Sequence, residues 1–369
     1  VSGAFHRADL ERLRAAGRYR LLSPRAGVDF ASNDYLGLAS DPQLRAAVAD
    51  ALGRGVAVGS GGSRLLRGND PEIVALETEA AALFGAEAAL FFSTGFAANT
   101  ALIATLPQPD DLILHDALIH ASVHDGLRMA RCPTEAFAHN DAGAVEDAIL
   151  RWRAEGRRGT VWIAFESLYS MDGDFAPVEE IAAIAERHDA MLVVDEAHAT
   201  GVWGPGGRGL AAALEGRPNV LTLHTCGKAL GCEGALVTGP RVFIDFLVNR
   251  ARPFIFSTAP SPLMAAAVRE ALRIVADEPA RRERLCALIA HAGRVLAPLG
   301  VTLSGSQVLP LVIGGDVETM ARAAAVQAKG FDVRGIRPPT VPAGTARLRI
   351  SLTLNATEAD VDRLAEALA

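Results

Sequence analysis

The sequence predicts an α/β protein, with a mostly parallel sheet covered by helices on both faces and a smaller α+β domain after it. Three observations carry this reading. Short apolar runs of strand length alternate with helical stretches between residues 89 and 237. Half of the 369 residues are hydrophobic, which is enough for a large core. After Pro260 and Pro262 the alternation gives way to long Ala/Leu/Arg-rich stretches with two strand-like runs between them.

In chain order, residues 6–20 have the spacing of a short amphipathic helix that leads into an extended arm, and Asp29–Leu38 alternates and then turns. From Pro71 to Phe84 the apolar residues Ile73, Leu76, Ala80, Leu83 and Phe84 keep helical spacing. Asn69 or Asp70 caps that helix, Pro71 suits its first turn and Gly85 ends it. Strands are expected at Ala89–Phe92, Leu112–Leu114, Val161–Phe165, Met191–Val194, Val220–Leu223 and Ala235–Val237, with helices at 96–106, 141–154 and 177–188 among them. Beyond the prolines come a helix over 263–298, strand Val308–Ile313, a helix over 317–329, strand Arg347–Leu354 and a closing helix over 357–368. The expected division is an N-terminal helix and arm (1–45), a large domain (46–262) and a small one (263–369).

Composition excludes several classes of function. Net charge is −7 and the basic residues are scattered, so neither nucleic acid nor an anionic membrane is an expected partner. Aromatic residues make up 5% of the chain, too few for a surface on which bases stack. Cys132, Cys226, Cys232 and Cys286 form no CxxC pair and no metal-ligand spacing. Free thiols in a reducing compartment and no metal are expected. No run reaches the roughly 18 apolar residues of a membrane span. A cytoplasmic location follows as the expectation.

Two strings carry the chemistry. Asp195-Glu196-Ala197-His198 follows the apolar run Met191–Val194, and Thr225-Cys226-Gly227-Lys228 follows Val220–Leu223. Side chains at the ends of neighbouring parallel strands converge on one crevice. A carboxylate for a pyridinium nitrogen and an amine for an imine are what pyridoxal phosphate asks of a protein. Ser93-Thr94-Gly95-Phe96-Ala97, at a strand-to-helix turn, adds backbone N–H groups suited to a phosphate. Taken singly, each signal has an ordinary structural reading. Asp195 and His198 equally suit a helix cap, Lys228 the surface, His120 (like His115 and His124) a partly buried position, and Ser170–Asp174 a plain turn. The acidic string also matches a helicase box, but the only Gly-Lys pair, Gly227-Lys228, lacks the phosphate-loop pattern around it. Their joint order along an α/β chain favours the cofactor over those separate readings.

That order resembles the α-oxoamine synthases, enzymes of the pyridoxal-phosphate fold type I. The likeness covers nearly the whole chain, through SNDYLGL (32–38), GSGGSRLLRGN (59–69), FFSTGFAAN (91–99), AHND (138–141), ESLYSMDGD (166–174), VDEAHATGVWGPGGRG (194–209), TCGKALG (225–231) and IRPPTVPAGTARLRI (336–350). The last string is similar to the members that join L-alanine to a pimeloyl thioester in biotin biosynthesis. The resemblance implies that Lys228 carries the cofactor covalently, Asp195 pairs with the pyridine N–H, His198 donates to the phenolic oxygen and His120 stacks on the ring. It implies Gly95, Phe96 and Thr225 for the phosphate, Ser170 beside the ring, and Ser257 or Thr258 reaching a neighbouring subunit's phosphate. Asn33 and Arg337 match substrate-contacting positions, with Arg337 on the amino-acid carboxylate, and Arg18 is nearest to an arginine that completes the acyl site. A homodimer with sites at its interface is implied, and the acyl donor is carried either by CoA or by acyl-carrier protein. The alternatives are a sister enzyme that uses glycine, of the 2-amino-3-ketobutyrate ligase or 5-aminolevulinate synthase type, and a non-catalytic binding subunit. Against the family pattern, Glu196 stands where others have Asp, no histidine precedes the helix at 71, and the lysine string continues GCEGA.

Overall fold

The computed structural model describes residues 3–369. The chain begins with α1 (Ala4–Ala15), β1 (Val28–Asp29), α2 (Pro42–Gly53), α3 (Pro71–Leu83), β2 (Ala88–Phe92), α4 (Gly95–Thr105), β3 (Leu112–Asp116), α5 (Ala121–Met129) and β4 (Thr134–Phe137). It continues with α6 (Ala142–Ala154), β5 (Val161–Glu166), α7 (Val178–Arg187), β6 (Met191–Asp195), β7 (Val220–Thr225), β8 (Ala235–Gly239), α8 (Arg241–Arg250) and α9 (Arg252–Ile255). It ends with α10 (Pro262–Asp277), α11 (Pro279–Leu296), β9 (Val308–Gly314), α12 (Asp316–Ala328), β10 (Phe331–Asp332), β11 (Arg334–Ile336), β12 (Ala346–Ser351) and α13 (Glu358–Leu368). Two compact units result. One gathers the residues up to Tyr35 with Ser170–Asp174 and Glu283–Ala369, and the other holds Leu36–Tyr169 and Phe175–Arg282.

The larger unit is built on a seven-stranded sheet in the order β2-β8-β7-β6-β5-β3-β4. Strands β4, β3, β5, β6 and β7 run parallel, while β8 is antiparallel to both β7 and β2. The inner strands are buried along their whole length because helices cover both faces, which is why they read as unbroken apolar runs. Alternate residues serve opposite faces. Met191, Val193, Leu221 and Leu223 join Ala98 and Leu102 of α4 in one core, while Leu192, Val194 and Val220 join Ile149 of α6 and Ile181 of α7 in the other. The same period carries past the strand ends, so Asp195 and Thr225 belong to one face and Glu196 and His224 to the other.

One expectation is corrected here. The helix expected over 263–298 is two helices, α10 and α11, separated by Glu278 at φ −115°, ψ 66°. Pro279 has no N–H and forces the residue before it out of helical geometry. The boundaries of the compact units fall after Tyr35 and Arg282. The reason is packing, since α10 lies on both α2 and α3 and all three belong to the larger unit.

The smaller unit holds a three-stranded antiparallel sheet, β11-β12-β9, and a parallel pair, β1-β10. Helix α12 packs on the sheet, and α13 starts with a capping box between Thr357 and Asp360. On β12, Arg347 pairs with Asp172 and Arg349 donates to the Ser170 carbonyl at 2.6 Å, which fastens the loop Ser170–Asp174 to this unit. Gly173 in that loop has φ +73°, and a side chain there would collide with the Val308 carbonyl oxygen.

Candidate active site

The chemistry-bearing residues of the larger unit meet at the C-terminal edge of β6 and β7. Register between these parallel strands sets Asp195, the last residue of β6, level with Leu223, and β7 runs on two residues to Thr225. Asp195 is buried, and its Oδ1 accepts from the Ala197 N–H at 2.9 Å. Past that turn, His198 Nε2 lies 2.7 Å from Lys228 Nζ. An ammonium group only donates, so the imidazole nitrogen accepts. Lys228 sits in the connection from β7 to β8, closed by bonds from Cys226 N–H to Gly234 O (2.8 Å), Cys232 N–H to Cys226 O (2.8 Å) and Gly231 N–H to Lys228 O (2.9 Å).

His120 enters from the start of α5. Its Nδ1 accepts from the Ser122 N–H at 3.2 Å and stands 2.7 Å from Ser122 Oγ. Part of the side chain faces open solvent, yet loss of water around the ring lowers its pKa, opposed by the charge of Asp195 and assisted by that of Lys228. Asn99 of α4 closes the group, with Nδ2 2.7 Å from Asp195 Oδ2 and 3.0 Å from Ser122 Oγ.

A cradle for an anion lies on the same face. Helix α4 opens after Thr94, whose hydroxyl accepts from the Ala97 N–H at 3.0 Å. The N–H groups of Gly95 and Phe96 precede the helix's own bonding and carry the positive end of its dipole. A Cβ on Gly95 would stand 3.5 Å from Thr225 Oγ1, which puts that hydroxyl beside the start of the helix. Ser257 and Thr258 line a recess with Ser93 and Arg64, beside the start of this helix. Amine, carboxylate, two imidazoles and a helix N-terminus are the groups that an aldehyde, a ring nitrogen, a phenolic oxygen and a phosphate require. The residues fit pyridoxal phosphate.

Behind the sheet, a second polar group is closed on itself. Glu196 accepts from Ser167 Oγ at 2.8 Å, Leu210 N–H at 3.0 Å and Ala211 N–H at 2.5 Å. Gly209, at φ +108°, leaves it room, because a Cβ there would lie 2.5 Å from a Glu196 oxygen. Complete burial raises the Glu196 pKa to about 7, although these donors pull it back. His224 stacks on Phe84 at 3.7 Å between ring centres, with Thr200 Oγ1 and Thr222 Oγ1 each 2.9 Å from its two nitrogens. Burial lowers its pKa to about 3.

The remaining predicted residues lie in the smaller unit. Arg337 is buried and donates to Tyr19 O at 2.8 Å, while its Nε has no partner among the described residues. Desolvation lowers its pKa, and the nearby charge of Arg20 adds to this. Arg18 is held by Asp316 at 2.5 Å, whereas Arg20 reaches Thr340 Oγ1 at 3.3 Å. Asn33 Oδ1 accepts from the Tyr35 hydroxyl at 3.1 Å. Ser170 is held through its carbonyl by Arg349.

Sequence reasoning missed Asn99, Ser122 and Arg20. The signal for Asn99 was an amide inside an otherwise apolar helix, one turn beyond Gly95 and on its face. Among the described residues, no helix is long and apolar enough to cross a membrane.

Known proteins place this geometry. A family profile, aminotransferase class I and II, matches residues 25–368. An 8-amino-7-oxononanoate synthase of Anaeromyxobacter sp. (strain K) is 45% identical over 378 aligned residues, covering 98% of this chain and 94% of that protein. One from Burkholderia thailandensis is also 45% identical, covering 96% and 91%. Among solved structures, a serine palmitoyltransferase from S. paucimobilis with bound PLP superposes with a TM-score of 0.89 at 26% identity, covering 99% and 96%. An 8-amino-7-oxononanoate synthase from Francisella tularensis gives 0.78 at 26% identity, covering 93% and 96%.

Proposed function

Since this chain belongs to the aminotransferase class I and II family, and within it to the 8-amino-7-oxononanoate synthases, we propose that it condenses L-alanine with a pimeloyl thioester. The bond between the alanine Cα and the acyl carbon forms and the thioester C–S bond breaks. The alanine carboxyl leaves as CO₂, and free thiol and 8-amino-7-oxononanoate remain. The observation that carries the reading is Lys228 Nζ at 2.7 Å from His198 Nε2, on the sheet edge where Asp195 ends β6.

Pyridoxal phosphate, when bound, supplies a sink for the electrons released at the alanine Cα. Lys228 would hold the cofactor and would serve as the general base for the alanine Cα proton. Asp195 faces the ring nitrogen and keeps its proton in place, a charge-assisted bond worth about 1.5–3 kcal/mol. His198 bonds the phenolic oxygen, and His120 covers the ring and offers Nε2 to the acyl oxygen. Gly95, Phe96 and Thr225 hold the phosphate, with Ser257 and Thr258 serving that of a second subunit in a homodimer. Ser170 sits beside the ring, and Asn33 contacts the substrate. Arg337, buried with one N–H unspent, receives the alanine carboxylate. For the acyl end we favour Arg20 with Thr340 over Arg18, whose charge Asp316 already meets. The enzyme works in the cytoplasm, and the cofactor domain comprises 46–262.

The test is a spectrum of the protein with pyridoxal phosphate, titrated with L-alanine or glycine, and a product assay with pimeloyl-CoA or pimeloyl-acyl-carrier protein. A band that shifts with L-alanine, and product from a pimeloyl thioester, is expected. A response to glycine alone, with acetyl- or succinyl-CoA as the donor, would transfer the chain to the sister activity. No bound cofactor would end the reading.

A further inference from the structure

We propose that Asn99 is a positioning residue for both side chains that close on the cofactor ring, acting on Asp195 directly and on His120 through Ser122. The proposal rests on the roles given to Asp195 and His120 above. Asn99 is buried in the interior of α4, where asparagine is a poor helix former. Both hydrogens of its Nδ2 are spent, one on Asp195 Oδ2 at 2.7 Å and one on Ser122 Oγ at 3.0 Å. Its Oδ1 is buried without a partner among the described residues. An amide that served only to satisfy itself would not be left half unbonded in a core. Its two donors are what the site uses.

The direction of each bond follows from the donor inventory. Asp195 accepts from Ala197 N–H on Oδ1 and from Asn99 on Oδ2, so the plane of the carboxylate is held from both ends. Ser122 Oγ receives a hydrogen from Asn99, and its own hydrogen points to His120 Nδ1, 2.7 Å away. The Ser122 N–H donates to the same nitrogen. Nδ1 therefore carries a lone pair, and the ring proton sits on Nε2, the edge turned away from the helix start. One amide thus fixes the carboxylate that faces the ring nitrogen and the tautomer of the imidazole that covers the ring.

The experiment compares the parent with Asn99→Ala and Ser122→Ala by two readouts. The first is the ¹⁵N spectrum of the histidine side chains with and without pyridoxal phosphate, with His120 assigned through His120→Gln. The second is the pH profile of the bound cofactor's absorbance. The parent should show His120 protonated on Nε2. Ser122→Ala keeps the longer backbone N–H bond to Nδ1 but loses the shorter hydroxyl bond, so it should measurably raise the fraction protonated on Nδ1, with a cofactor titration within about 0.2 pH unit of the parent. Asn99→Ala should change both readouts, moving the cofactor titration by at least about half a pH unit and weakening cofactor binding about tenfold. Asn99→Ala with either readout like the parent's overturns the proposal, as does Ser122→Ala with the parent tautomer. Should Asn99→Ala fail to fold, the Ser122→Ala spectrum still decides the link to His120. If pyridoxal phosphate does not bind at all, the functional reading fails, while the cofactor-free spectra still decide the hydrogen-bond chain.

Discussion

At the edge of the sheet the molecule places a carboxyl and a histidine on each face, and treats the two pairs in opposite ways. In front, Asp195 accepts two hydrogen bonds, and His120 spends one nitrogen on Ser122. Capacity is left over on both, directed at the crevice that Lys228 shares. Behind, Glu196 takes three donors, and His224 is bonded at both nitrogens. Thr200 Oγ1 already donates to the Glu196 carbonyl, so it accepts from His224 Nδ1–H, and Thr222 donates to Nε2. Residue type alone does not separate a working group from a structural one; unspent bonding capacity does.

The largest effect that would break this contrast comes from Lys228→Ala. It should remove essentially all turnover, because base and carrier disappear together, and it should lose the absorbance of a covalently held cofactor. Normal product formation would refute the front-face reading. Asp195→Asn should follow, with alanine Cα–H exchange slowed about a thousandfold, or ~4 kcal/mol in the barrier, while the fold survives. An exchange rate equal to the parent's would deny Asp195 its part. Behind the sheet, His224→Ala should cost about 3–5 kcal/mol of stability through the lost ring and its bonds, with the cofactor's spectral pH profile unmoved. Denaturant unfolding checks the first half and absorbance the second. Glu196→Gln is the finest probe. With a folded pKa of about 7 against 4.5 unfolded, Glu196 favours the folded state below pH 4.5, and that contribution is lost as pH rises to 7. The variant should flatten the melting temperature across that range, by no more than about 3 kcal/mol at 25 °C. His224 acts in the opposite sense: its neutral ring gives stability above pH 6.5 that is lost as pH falls toward 3.

The strands were legible because burial on both faces demands unbroken apolar runs, as in Val161–Phe165 and Met191–Val194. Strand β4 escaped notice for the complementary reason. It is an edge strand, and three of its four residues are exposed. The break at Pro279 was visible in the sequence but was outweighed by the Ala/Leu/Arg pattern on either side of it. Asp195 and Lys228 announced themselves by standing just past buried runs, where a polar residue needs a reason. Asn99 and Ser122 did not, because each looks locally like ordinary helix content, and only the packing of α4 against α5 brings their polar atoms to Asp195 and His120. Which arginine near the N-terminus was already matched by an acid could be read only once Asp316 stood beside Arg18.

The tight return between β7 and β8 separates two kinds of motion. Three backbone bonds clamp the ribbon around Lys228, from Cys226, Gly231 and Cys232, so its α-carbon stays anchored while four methylenes let the amine swing. In the role proposed for Lys228, the amine would thus travel on a leash of fixed length. Amide deuteration at those three positions should rank among the slowest in the protein, a stationary hinge under the most mobile atom of the reaction.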